Sequence, residues 1–193
     1  WQQHLVVMPM ALLLLTVLSL LPAMLLLTTS FTRIVIVLAF IRRALTTRSI
    51  PPSTVIVGLS LFLSLFVMAP TFAQINARAI QPYLNRQISG EEALVQAVEP
   101  LREFMFRQTG ESELAMFVSL SGIEHPETMA NVPTYVLIPS FVISELKRAF
   151  ELGFVLFLPF LVLDLIVASV LLSMGMMMLP PVIVSAPLKI LLF

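Results

Sequence analysis

One acidic side chain lies inside a long apolar stretch, where a charge is energetically costly. Asp164 is the only charged residue in the segment 152–188. Ionisable residues in such segments are rare, and they mark sites that pair charges or bind ions. Arg33 and Lys189 are the candidate partners, from the same chain or a neighbouring copy. We predict an intersubunit ion pair at Asp164; the alternatives are proton or ion coupling, or neither role.

A second unusual feature is a cluster of methionines: four of the eleven fall within five positions, directly before two prolines. The motif reads Met174-Gly175-Met176-Met177-Met178-Leu179-Pro180-Pro181. Methionine is flexible and polarizable, so it packs around different shapes. Glycine and proline interrupt helices, and a non-helical segment at membrane depth must be buried in protein or line a cavity. Several copies meeting at an axis would form an apolar constriction that excludes water from a pore; ordinary apolar packing is the alternative.

The sequence carries no signature of an enzyme or of a metal site. His4 and His125 are isolated, without a second ligand at metal spacing. The absence of cysteine excludes disulfides, thiolate catalysis and Cys-ligated metals. No Walker loop, dinucleotide fingerprint or Gly-x-Ser-x-Gly elbow is present. We therefore predict a non-enzymatic protein without a metal ion or cofactor.

The composition is that of a membrane protein. Of the 193 residues, 59% are hydrophobic and 11% charged, whereas a soluble domain has about 25% charged residues. The mean hydropathy is +1.01, and the zero net charge argues against a basic nucleic-acid binder. Segments 5–32 and 49–77 contain no charge, and each exceeds the roughly 20 residues that cross a bilayer as a helix. Arg33 follows the first, and we expect it to reach an interface or pair with an acid on another helix or subunit.

The charges are segregated along the chain. Residues 78–127 hold eight of the eleven acids and four arginines, which gives this stretch a net charge of −4. Arg42, Arg43 and Arg48 lie in one short connection, which the positive-inside rule places in the cytoplasm. We therefore predict a first hydrophobic helical hairpin over 1–77, an acidic helical periplasmic insert over 78–133, and an amphipathic helix with a second hydrophobic hairpin over 134–193.

Local signals predict the helix boundaries of the insert. Ser89 and Glu92 have the spacing of a capping box. A helical stripe follows, with a kink or restart expected at Pro100, and Gly110 and Gly122 bracket a second short helix. The stripe consists of Leu94, Val98, Leu101 and Met105.

Similar local signals predict where the apolar helices begin and end. Two prolines, Pro51 and Pro52, favour the start of a helix, which we expect to run to about Ala77. An amphipathic helix is predicted to begin at Pro139, with Glu145 on its charged side, and to continue unbroken into apolar sequence. Together these segments exceed one bilayer crossing.

Motifs along nearly the whole chain follow the order seen in one known family. They are Thr28-Thr-Ser-Phe-Thr-Arg-Ile-Val-Ile-Val37, Pro51-Pro52, Glu99-Pro-Leu-Arg-Glu-Phe-Met105, Phe141-Val-Ile-Ser-Glu-Leu-Lys147, Phe157-Leu-Pro-Phe160 with Asp164, and Met174 to Pro181. Through these motifs the chain resembles the FliP family of the bacterial flagellar export gate. Homologous subunits serve virulence type III secretion.

The resemblance implies an all-α membrane protein of long helical hairpins that assembles into a helical pore complex. Several copies, a pentamer in the family, join FliQ- and FliR-like subunits in the inner membrane, within the flagellar basal body, and pass unfolded export substrates. It also implies that Met176, Met177 and Met178, with Met174, form a gasket around the closed pore, and that the precursor carries a cleaved signal peptide. The alternatives are the virulence homologue, or a secondary transporter or ion channel that uses Asp164. We also expect further apolar residues after Phe193.

Overall fold

The computed structural model describes residues 15–16, 19–20, 22–45, 51–123, 126, 128, 131–176 and 178–192, and none of these lies in a β-strand. Two of the described helices, Ser53–Leu84 and Thr134–Ser173, are long and apolar enough to cross a bilayer. The predicted all-α membrane fold is thereby confirmed.

The first apolar stretch is interrupted where its hydroxyl-bearing residues begin. Residues 22–27 are helical and 28–30 are not; helix α1 then spans Phe31–Ala44. The Thr28 hydroxyl lies within hydrogen-bond distance of the Leu25 carbonyl at 3.3 Å, and the Thr29 hydroxyl donates to the Leu26 carbonyl at 3.1 Å. Side-chain donors of this kind satisfy carbonyls that the end of a helix leaves unpaired, so the polar residues stabilise a break in the apolar run.

Helix α2, Ser53–Ile75, begins as predicted after the two prolines. This α-helix ends close to the expected Ala77, and a five-residue π-helical segment, Asn76–Ile80, and a short helix α3, Gln81–Leu84, continue the helical backbone beyond it. Within this continuation the Arg78 guanidinium lies 3.4 Å from the Glu103 carboxylate, and both side chains are partly exposed.

One compact unit comprises the described residues of Trp1–Ser30 together with Pro70–Val142. Its helix α4, Gly90–Gln108, starts with the predicted capping box. The Glu92 amide donates to Ser89 Oγ at 3.2 Å, and the Ser89 amide donates to Glu92 Oε2 at 2.8 Å. Helix α5, Glu111–Ser121, lies between the two predicted glycines, and the second of them has a φ of 67°.

The buried face of α4 matches only part of the predicted stripe. Met105 of that stripe is buried, Leu94 and Val98 are exposed, and the other buried residues are Pro100 and Phe104. The ring of Phe104 meets the ring of Phe141 edge-on, with centroids 5.9 Å apart. The core of this unit therefore packs against the second half of α4. Pro100 does not restart the helix, which is continuous through it.

The second compact unit comprises the described residues of Phe31–Ala69 and Ile143–Phe193. Most of helix α6, Thr134–Ser173, belongs to it, as does helix α7, Pro181–Leu192. The 40 residues of α6 form the predicted unbroken helix, about 60 Å long. It begins before Pro139 because the Pro133 carbonyl accepts the amides of Val136 and Leu137.

Candidate functional site

Asp164 is held by two donors from α7. Lys189 Nζ lies 2.6 Å from Asp164 Oδ2, and the Ser185 hydroxyl donates to Asp164 Oδ1. Ser185 and Lys189 are four residues apart, so they lie on one face of the helix. Of the two partners considered for Asp164, the structure brings Lys189 to it within the same chain. We call these three residues the Asp164 cluster.

The Asp164 cluster is largely removed from water. Ser185 and Lys189 are fully buried, whereas the Asp164 side chain retains 28% of its exposure. An ammonium group in such a place requires a counter-charge and hydrogen bonds to offset its desolvation. The Asp164 carboxylate supplies the charge, and Ser185 satisfies its second oxygen. Sequence reasoning missed Ser185, although its four-residue spacing from Lys189 was available as a signal.

Arg33 pairs with a different acid, Glu145 of α6. Arg33 Nε donates to Glu145 Oε2 at 2.9 Å, and Nη2 contacts Oε1. This two-point geometry is the strong form of an arginine–carboxylate contact. The pair joins α1 to α6 within the second unit. The structure therefore separates Arg33 from the Asp164 cluster.

The amphipathic pattern predicted that Glu145 lies on a solvated face of the helix, and this prediction is wrong. The Glu145 side chain is fully buried, whereas that of Arg33 is 25% exposed. The residues just before it, Ser140, Phe141 and Ser144, are buried as well. A helical pattern assigns charged residues to the exposed side, and it fails here because a partner from α1 lies against this face.

The methionine motif forms the connection between α6 and α7, residues 174–180, which we call the methionine loop. The amide of Gly175 donates to the Leu172 carbonyl at 3.0 Å, and that of Met176 donates to the Leu171 carbonyl at 2.9 Å. These two bonds are those of a Schellman motif, which requires a left-handed residue, and Gly175 has a φ of 75°. The Gly175 backbone therefore ends α6.

The second helix of the hairpin begins at the paired prolines. Pro181 occupies the first position of α7, where a missing amide proton costs nothing, and the Pro180 carbonyl accepts the amide of Ile183 at 3.1 Å. Gly175, Pro180 and Pro181 thus shape the two ends of the methionine loop.

The described methionines of the methionine loop are exposed. Met178 is 98% exposed, Met174 64% and Met176 44%; Met177 lies outside the described residues. Flexible apolar side chains displayed at the tip of an apolar hairpin favour contact with another apolar surface.

Among the described residues, no group of three or more His, Asp or Glu side chains could hold a metal ion. Both histidines, His4 and His125, and the basic residue Arg48 lie outside the described part of the chain. The chemistry of the described site is therefore that of paired charges and exposed thioethers.

Comparison with known proteins identifies one family. The model of the FliP family matches residues 14–193. The chain is 53% identical over 182 residues to the flagellar biosynthetic protein FliP of Bacillus subtilis (strain 168). The aligned residues cover 94% of this chain and 82% of that protein.

Two further relatives carry the same name. The protein of Caulobacter vibrioides is 52% identical over 180 residues, covering 93% of this chain and 68% of its own length. That of Pectobacterium carotovorum subsp. carotovorum is 52% identical over 182 residues, covering 94% and 70% respectively. The chain belongs to the FliP family of flagellar biosynthetic membrane proteins.

Proposed function

We propose that this chain is a non-enzymatic pore-forming subunit of the flagellar protein export gate. In this proposal, unfolded export substrates cross the inner membrane through a conduit that several copies of the chain share. The observation that carries it is the exposure of the methionine loop at the tip of the hairpin formed by α6 and α7. Family membership supports the flagellar system over its virulence counterpart, because the relatives compared are flagellar biosynthetic proteins.

The side chains of the methionine loop suit a closure that must deform. Unbranched thioethers change rotamer easily, so a ring of them fills an irregular gap and yields to a passing chain. A constriction lined by apolar groups blocks ions by excluding water even without a complete steric seal. Met174, Met176 and Met178, together with Met177, are proposed to form this gasket around the closed pore.

The surrounding parts are proposed to position that gasket. The first hairpin over 1–77 and the second over 134–193 form the walls, and the acidic insert over 78–133 lies on the periplasmic side. FliQ- and FliR-like subunits complete the assembly within the basal body. The Asp164 cluster and the Arg33–Glu145 pair satisfy their charges within the chain, which suits helices that pack against other subunits.

A conductance measurement tests the gasket. Met176, Met177 and Met178 are replaced together by glycine in the full-length protein, within its native complex. Removing the side chains should open a path for water, so the closed complex should conduct small ions under voltage. The matched control replaces the same residues by leucine, which keeps the apolar bulk and should stay close to wild type. A glycine variant that conducts no more than wild type contradicts the gasket.

A carrier or channel that couples ions through Asp164 is the competing function. It requires a carboxylate that binds and releases an ion, and it predicts that Asp164→Asn abolishes coupling while assembly survives. The pore proposal predicts damage to assembly, because Lys189 would remain buried without a counter-charge. Intact complexes that lack only ion coupling favour the carrier.

A further inference from the structure

The two oxygens of the Asp164 carboxylate are held by two different residues of α7. Lys189 supplies charge to Oδ2 at 2.6 Å, while the Ser185 hydroxyl is directed at Oδ1. The Lys189 contact fixes only Oδ2, so by itself it leaves the carboxylate free to turn about that oxygen. A hydrogen bond has a preferred direction, so a second one, to Oδ1, removes that freedom.

We propose that Ser185 is a positioning residue: through Asp164 Oδ1 it locks α7 in one register on α6 and so fixes the methionine loop. Its connection to gating rests on the proposed function, whereas the register lock concerns α6 and α7 alone.

Helix geometry allows these two contacts to form in only one register of α7 on α6. A slip of α7 by one residue moves it about 1.5 Å along its axis and rotates the side chains by about 100°. Neither donor of α7 would then face Asp164. Ser185 lies four residues beyond the first residue of α7, close to the loop. A slip would therefore be transmitted to the methionine loop almost directly.

The hydroxyl of Ser185 also has an acceptor in its own helix, the Val182 carbonyl at 3.2 Å. Many helical serines make only such a bond, and it carries no information about a neighbouring helix. Ser169 is a comparison within the same hairpin: it is exposed, and its hydroxyl donates to the Leu165 carbonyl at 2.9 Å. Burial against a carboxylate distinguishes Ser185 from Ser169.

Hydrogen exchange of the α7 amides measures the lock. The full-length protein in its native complex is compared with Ser185→Ala, Ser185→Thr and the control Ser169→Ala. Loss of a hydrogen bond to a charged group should speed α7 exchange by roughly tenfold or more. Threonine keeps the hydroxyl and should restore slow exchange, and the control should leave α7 unchanged.

A double variant separates positioning from simple packing. In an Asp164→Ala background the partner of the hydroxyl is gone, so Ser185→Ala should add little further acceleration. Equal acceleration in both backgrounds, or α7 exchange in Ser185→Ala that matches wild type, overturns the inference. If Asp164→Ala does not assemble, the threonine variant decides: failure of Ser185→Thr to restore protection also overturns it.

The pore proposal is judged separately, by the conductance of the glycine variant of the methionine loop. If the glycine variant does not conduct ions but Ser185→Ala exchanges its α7 amides fast, the gasket is wrong and the register lock stands. If the glycine variant conducts ions but Ser185→Ala leaves the exchange of the α7 amides unchanged, the gasket stands and the register lock is wrong.

Discussion

Replacing Arg33 by methionine leaves the Glu145 carboxylate buried without its counter-charge. The substitution removes the bond from Nε, 2.9 Å long, and the contact from Nη2. Breaking a buried pair from one side costs about 3–5 kcal/mol, because the remaining charge is uncompensated. Since Glu145 is fully buried, we expect the loss in unfolding free energy to lie in this range.

The opposite substitution should be milder. Glu145→Leu removes the carboxylate that Arg33 contacts, but the Arg33 side chain is 25% exposed and is long enough to move its charge toward a polar environment. We expect a smaller loss, about 1–3 kcal/mol. The double variant Arg33→Met with Glu145→Leu should recover most of the stability, because buried pairs are often replaced by apolar residues without net cost.

Denaturation of the full-length protein in mixed micelles, followed by helical circular dichroism, measures these changes. Glu151→Gln provides the matched control, since Glu151 is an exposed acid of the same helix; it should change stability by less than about 0.5 kcal/mol. The Arg33–Glu145 pair does not stabilise the fold as described if Arg33→Met is no more damaging than Glu151→Gln, or if the double variant is less stable than Arg33→Met alone.

Two further predictions concern packing and pH. A Cβ added at Gly153 would lie 2.5 Å from the ring of Phe40, so Gly153→Ala should destabilise α6 by about 1–3 kcal/mol. Gly58 has open space around it, and Gly58→Ala in the same denaturation assay should instead stabilise by up to about 1 kcal/mol. Hydrogen bonds from the Ser89 amide and hydroxyl lower the pKa of Glu92. The stabilisation of α4 by the Glu92 carboxylate should therefore be complete above the ordinary glutamate pKa and be lost as the pH falls through the lowered value. Amide exchange in the first turn of α4 should show this pH dependence, and Glu92→Gln should abolish it.

Local chemistry explains which elements were predictable from the sequence. The capping box at Ser89 and Glu92, the glycine ends of α5 and the unbroken α6 each depend on residues within a few positions of one another. Such signals are complete in the sequence because the partners are neighbours in the chain. The all-α membrane fold followed from composition for a similar reason.

Long-range partners explain the failures. Glu145 looked solvated because its partner, Arg33, is more than a hundred positions away in sequence. A charged residue that looks exposed by itself is thus satisfied by a distant residue, and the spacing of apolar residues along a helix does not reveal such a partner.

In the candidate site, too, some residues were recognisable from the sequence and one was not. Asp164 and the methionine loop were recognisable because a lone acid and clustered methionines are unusual in apolar sequence. Ser185 was missed because its four-residue spacing from Lys189 is a weak signal: serine is common in such segments, and the role of Ser185 depends on a carboxylate 21 positions earlier.

In the proposed gate, the methionine loops of several copies meet around one conduit. Met178, 98% exposed in the chain, is the residue to probe, and Met178→Cys introduces a thiol into a sequence of 193 residues that contains no cysteine; the complex without this substitution is the control for other thiols. Oxidation of this variant in the native complex should link neighbouring copies through position 178, and a fluorophore attached there should resist quenchers carried on lipid acyl chains. Absence of cross-links, together with strong quenching from the lipid, would contradict the account.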